Sequence, residues 1–258
     1  MLQISDKGKM VPASPIRKLV PYANRAKERG IRVFHLNIGQ PDIATPEIAL
    51  EVVRRIQMSV IEYTDSAGNH TLRSKLASYY QKLGISIDED NILITTGGSE
   101  AILFAFMSTL NEGDEIIIPE PFYANYAAFA IMVGAKIKTV TATIDNNFAL
   151  PPISEFEKLI TPRTKGVVII NPNNPTGYLY SQSELEALGE MIKKHNLYLY
   201  SDEVYRRYCY DGLKHFSVMN LKGIEENTIL FDSMSKRYSE CGIRVGAIIS
   251  RNKEVLKA

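Results

Sequence analysis

Along most of the chain, short runs of aliphatic and β-branched residues alternate with helix-compatible segments. That alternation limits the fold more than any other feature. The runs at 91–96, 115–118, 137–140, 166–170 and 197–200 are separated by the helix patterns 101–110, 126–133, 153–160 and 182–195. A strand followed by a helix and another strand closes most readily as a parallel pair with a crossover. Repetition therefore predicts an α/β fold, a mostly parallel sheet with helices on both faces. The final run, Val245 to Ser250, follows Phe231 after a connection too short for a helical crossover, so it is expected antiparallel to its predecessor.

Upstream of this alternation lie Pro12, Pro15 and Pro21, a helix over Tyr22 to Arg29 closed by Gly30, and a short strand over Ile31 to Ile38. Gly39-Gln40-Pro41-Asp42 breaks that strand. Thr45-Pro46-Glu47 then reads as an N-cap, a first-turn proline and an acid suited to the helix dipole, opening a helix to about Met58. A loop at Tyr63 to Gly68 precedes a further helix, Leu72 to Leu83.

The 30 basic and 29 acidic residues give no electrostatic footprint for nucleic acid or an anionic membrane, so small-molecule chemistry is expected. Cys209 and Cys241 lack metal-ligand spacing and form no disulfide framework; no metal site is expected, and a reducing compartment fits. The N-terminus carries Asp6, Lys7 and Lys9 without an apolar signal region. The longest apolar run, Tyr126 to Val133, is far short of the ~20 residues that span a bilayer. A cytoplasmic protein is the resulting expectation.

The residues that follow the strands carry chemistry. The loop Gly97-Gly98-Ser99 stands between a strand and a helix start, where free backbone N–H groups make an anion site. Asn174 sits in the proline-fixed loop 171–177, Asp202 ends its own strand, and Lys236 follows the run ending at Phe231. In a parallel sheet all four meet at the carboxyl edge, where open α/β sheets bind ligands. The stretch Phe231 to Gly246 adds Arg244 beside Lys236. Lysine condenses with aldehydes and arginine forks onto phosphate, and the small molecule joining both groups is pyridoxal 5'-phosphate. From this stretch alone, a solvated loop lysine is the other reading.

Asn37-Ile38-Gly39-Gln40-Pro41-Asp42, Tyr63-Thr64, Gly97-Gly98-Ser99-Glu100, Pro121-Phe122-Tyr123, Asn174-Pro175-Thr176-Gly177, Asp202-Glu203-Val204-Tyr205, Ser233-Met234-Ser235-Lys236 and Gly242-Ile243-Arg244-Val245-Gly246 occur in this order. As a set they resemble the class I and II, fold type I, pyridoxal-phosphate-dependent aminotransferases, the family of aspartate aminotransferase. The resemblance implies that Lys236 forms the Schiff base and moves the proton. It places Asp202 on the pyridine nitrogen and Asn174 and Tyr205 on the phenolate oxygen, with Tyr123 stacked on the ring. It assigns Gly98, Ser99, Ser233 and Arg244 to the phosphate cup, Tyr63 to the phosphate of the neighbouring subunit in a homodimer, and Gly39 and Asn174 to the substrate.

The implied activity is transfer of an amino group from an L-amino acid, with aspartate as a candidate, to a 2-oxo acid such as 2-oxoglutarate. A lyase or synthase on the same fold, or a cofactor-binding module without turnover, are the alternatives. The resemblance also implies domains: residues 1–44 belong to a small domain and 45–258 to the large cofactor domain. The chain is expected to be a fragment, because the family's arginine for the substrate α-carboxylate lies beyond the lysine strand and no arginine here stands in its context. Ser99-Glu100 stands where some aspartate-specific relatives carry lysine, which leaves the amino-acid preference open.

Overall fold

The computed structural model describes residues 2–258. Seven strands form one sheet: β1 Ile92–Thr95, β2 Glu115–Glu120, β3 Lys136–Thr141, β4 Thr164–Ile170, β5 Tyr198–Asp202, β6 Thr228–Ser233 and β7 Gly246–Ser250. Their order is β1-β7-β6-β5-β4-β2-β3. The pairs β3·β2, β2·β4, β4·β5 and β5·β6 are parallel, whereas β7 is antiparallel to β6, as its short connection predicted, and also to β1. Two reversals cancel. β1 thus runs with β6, and the loops after β1, β4, β5 and β6 share one edge.

Ten α-helices accompany the sheet among the described residues: α1 Asp6–Met10, α2 Val20–Glu28, α3 Glu47–Arg54, α4 His70–Lys82, α5 Gly98–Thr109, α6 Asn125–Val133, α7 Ile153–Glu157, α8 Gln182–His195, α9 Met234–Arg237 and α10 Lys253–Lys257. The period of two along a strand sorts the core into two faces. Val168 and Ile170 of β4 pack with Phe106 of α5 and Tyr126 of α6, while Val167 and Ile169 pack with Phe156 of α7 and Leu185, Leu188 and Ile192 of α8. Because both faces are covered, the central strands read as unbroken hydrophobic runs. Leu230, opposite in direction to Ile229 and Phe231, joins Leu76 and Tyr80 of α4 in a third cluster.

Several local expectations are corrected. Residues 31–38 form no strand; no ladder partner lies beside them, and without one the β-favouring side chains stay in coil and turn. Pro46 is the N-cap of α3, and Thr45 turns its hydroxyl to the Ser239 carbonyl at 2.6 Å. That helix ends at Arg54 rather than near Met58. α5 starts at Gly98, three residues before the predicted Ala101, and this shift places Gly98 and Ser99 in its first turn. None of the described residues before Arg73 is buried, and of the residues before it only Leu72 is among the partly buried hydrophobics packed against the cores.

Candidate active site

A cleft of about 360 Å³ opens at the carboxyl edge of the sheet. Lys236 reaches it from α9, a helix of one turn that follows β6 directly. So short a helix has no stability of its own. It is held by Ser233, the N-cap, whose Oγ accepts the Ser235 N–H at 3.1 Å and donates to the Val245 carbonyl at 3.1 Å. Tyr208 donates its hydroxyl to the Lys236 carbonyl at 2.7 Å. The Lys236 amine donates to the Gly39 carbonyl at 2.6 Å and lies 4.0 Å from Cys241 Sγ.

Asp202, the last residue of β5, is buried at the floor of the cleft. Its Oδ1 accepts the Val204 N–H at 3.2 Å and its Oδ2 accepts the Tyr126 hydroxyl at 3.0 Å. No cation pairs with it among the described residues, and burial pushes its carboxyl up to about 6 despite the two hydrogen bonds. Tyr205 and Tyr123 line the walls. Burial and the nearby Asp202 raise both phenols, that of Tyr205 to about 12, so both are protonated at neutral pH.

At the far end, Gly98 and Ser99 stand in the first turn of α5, where backbone N–H groups have no intrahelical acceptor. Arg244, in the left-handed region at φ 56°, aims its guanidinium there. Gly97 makes that approach possible: a Cβ at this residue, whose φ is 82°, would stand 2.2 Å from Arg244 Nη2. Asn174 completes the lining from the loop after β4.

Ten of the eleven residues singled out from the sequence line this one cleft: Gly39, Gly98, Ser99, Tyr123, Asn174, Asp202, Tyr205, Ser233, Lys236 and Arg244. The eleventh, Tyr63, is fully exposed and outside it. Sequence reasoning missed Tyr126, which it read only as the start of an apolar helix; its signal was the spacing of three from Tyr123. It also missed Cys241, and the lining residues Ile16, Asn37 and Ile38 that the N-terminal segment brings. Arg251 is absent from the cleft, its guanidinium being taken up by the Met219 and Ser86 carbonyls at 2.9 and 3.0 Å.

An α/β sheet with an amine, a buried acid and an anion cradle on one carboxyl edge defines a class of cofactor-binding enzyme folds. Within it, the chain belongs to the aminotransferase class I and II family, whose sequence model matches residues 31–258. Among curated relatives, it is 35% identical over 249 residues to aromatic-amino-acid aminotransferase 2 of Thermococcus litoralis, covering 95% of this chain and 62% of that protein. It is 34% identical over 254 residues to aspartate aminotransferase of Pyrococcus horikoshii, covering 98% of this chain and 63% of the relative. The aspartate aminotransferase from Thermus thermophilus, solved with maleate, superposes with a TM-score of 0.92 at 31% identity, over 100% of this chain and 66% of that one. The chain thus spans a little under two thirds of the length of these proteins.

Aspartate aminotransferase-family proteins use pyridoxal phosphate, and the residues present fit that group. The cradle of Gly97, α5 and Arg244 suits a phosphate dianion. Asp202, buried without a cation, suits a protonated ring nitrogen. The Lys236 amine in the cleft suits an aldehyde.

Proposed function

We propose that the protein transfers an amino group from an L-amino acid to a 2-oxo acid, with pyridoxal 5'-phosphate held on Lys236. The observation that carries this reading is the convergence of the Lys236 amine, the Asp202 carboxylate and the Arg244 cradle on one cleft. When bound, the cofactor supplies an aldehyde for amine exchange and a ring that accepts the electrons released at the substrate Cα. Asp202 would hold the ring nitrogen and keep it protonated by its negative charge. Tyr205, Asn174 and Tyr123, which line the cleft, would hold the ring: the first two through hydrogen bonds to its phenolic oxygen and Tyr123 by aromatic contact. With the cofactor bound, the Lys236 amine would be the base that takes the Cα proton and the acid that returns it. Gly39 contacts the substrate carboxylate, and its carbonyl holds the lysine amine in the meantime.

The names of the relatives, aspartate and aromatic-amino-acid aminotransferases, favour aspartate or an aromatic amino acid as donor; 2-oxoglutarate is the proposed acceptor. Residues 1–44 are assigned to a small domain and 45–258 to the large one, on the family resemblance. The assembly proposed is a cytoplasmic homodimer in which Tyr63, exposed in the single chain, reaches the partner's phosphate site. No helix among the described residues is long and apolar enough to cross a membrane.

The test is the half-reaction. Aspartate, alanine or an aromatic amino acid added to the loaded protein should convert the bound cofactor to its pyridoxamine form, and 2-oxoglutarate should restore it; Lys236→Ala should abolish both steps. Release of ammonia in place of conversion would make the protein a lyase, and no change at all would leave a binding module. For the assembly, mixing Tyr63→Phe with Lys236→Ala subunits should give hybrids with one restored site, and a monomeric sedimentation coefficient would rule the shared site out.

A further inference from the structure

Behind α9, on the side away from the cleft, lies a buried ionic cluster that the proposed reaction does not use. Its centre is Asp232, the penultimate residue of β6, only 3% exposed. Asp232 Oδ1 accepts the Ser233 N–H at 2.8 Å, and Oδ2 accepts the Tyr80 hydroxyl at 2.7 Å. Arg237 Nη2 donates to both carboxylate oxygens. The Arg237 guanidinium also lies 4.6 Å from the centre of the Tyr79 ring, and Arg206 Nη2 stands 3.9 Å from Asp232. Burial alone would raise the Asp232 carboxyl, but Arg206 and Arg237 hold it below its ordinary value, so the cluster is charged.

The carboxylate of Asp232 therefore touches both ends of α9: the N-cap Ser233 and the last residue, Arg237. Lys236 is the residue between these contacts whose side chain leaves on the opposite side, into the cleft. A single turn cannot fix its own orientation, because helix formation becomes favourable only over many residues. Something outside the helix must do so. We propose that Asp232 and Arg237 are positioning residues, a clasp that sets the direction in which Lys236 presents its amine and Ser233 its cap.

This rests on the reading of Lys236 as the cofactor lysine, and its test separates the two. The protein carrying Arg237→Met or Arg237→Lys is incubated with a limiting concentration of pyridoxal 5'-phosphate and reduced with borohydride, and the pyridoxyl label is mapped by peptide mass. The visible circular dichroism of the bound cofactor is recorded beside it. Arg237→Met should lower the rate of labelling at Lys236 at least tenfold and weaken the dichroic band. Arg237→Lys, which keeps the charge but not the planar fork, should recover part of both. Folded variants that label Lys236 at the wild-type rate with an unchanged band would overturn the clasp. Loss of the fold in both variants would also overturn it, making the pair a stability element only. Failure of the unaltered protein to label at Lys236 would instead refute the proposed function.

Discussion

The Tyr126 hydroxyl, buried on the first turn of α6, donates to Asp202 Oδ2 at 3.0 Å, joining a helix on one face of the sheet to the acid at the end of β5. Tyr126→Phe keeps the ring packing against Phe106 and Phe129 and removes only the donor. The carboxylate would then lose one of its two hydrogen bonds, at a cost of about 1–3 kcal/mol for a buried acceptor left unpaired. That loss should show in unfolding free energies above pH 7, where Asp202 is ionised, and shrink towards pH 4. An equal loss at both pH values would assign the effect to packing.

Asp202 itself sets a pH dependence with a definite sign. Its folded value of about 6 lies above the ordinary 3.8, so the folded state favours the protonated carboxyl. The contribution to stability is complete below about 3.8 and is lost as pH rises through about 6. For the cofactor-free protein this loss is on the order of 3 kcal/mol, and Asp202→Asn should remove it. Urea unfolding of both proteins at pH 4, 5, 6 and 7 measures the difference. On the proposed pairing of Asp202 with the ring nitrogen, the same variant of the loaded protein should keep the cofactor and lose turnover by orders of magnitude, since an amide carries no negative charge.

Gly97 is the position where a single methyl group should damage the phosphate cradle. Its φ of 82° is unfavourable for a residue with a side chain, and the added Cβ would stand 2.2 Å from Arg244 Nη2. Gly97→Ala should weaken pyridoxal 5'-phosphate binding at least tenfold, about 1.4 kcal/mol. Pyridoxal without its phosphate should bind both proteins alike in an equilibrium titration. A matching loss for both ligands would place the damage outside the cradle.

Glu115, buried at the start of β2, governs the acid limb. The hydrogen bond from Thr161 Oγ1, then those from Lys138 and the charge of Arg163, hold its carboxyl down at about 2. A depressed value contributes stability that is present above the ordinary 4.5 and disappears as pH falls towards 2. Glu115→Gln should be less stable at neutral pH and should flatten the decline between pH 4.5 and 2 in chemical unfolding. An unchanged slope would assign that acid sensitivity to other carboxylates.

The sequence by itself determined the strand and helix alternation, the antiparallel last strand and the cleft residues at the strand ends. These are written in local signals. A strand ends where glycine, asparagine or aspartate stops it, and parallel crossovers bring such ends to one edge whatever the strand order. The helix Gln182 to His195 was legible to the residue, because its Ser181 and Glu184 form a reciprocal cap within four positions. Only the tertiary structure decided what depends on partners distant along the chain. Residues 31–38 have strand-forming side chains but no ladder beside them, so their propensity is not realised. Tyr126 meets Asp202 across 76 positions, and Tyr80 meets Asp232 across 152. Hydrogen bonds and ion pairs of that kind arise when the sheet order β1-β7-β6-β5-β4-β2-β3 stacks the helices over it, and no local periodicity records which side chains will then face one another.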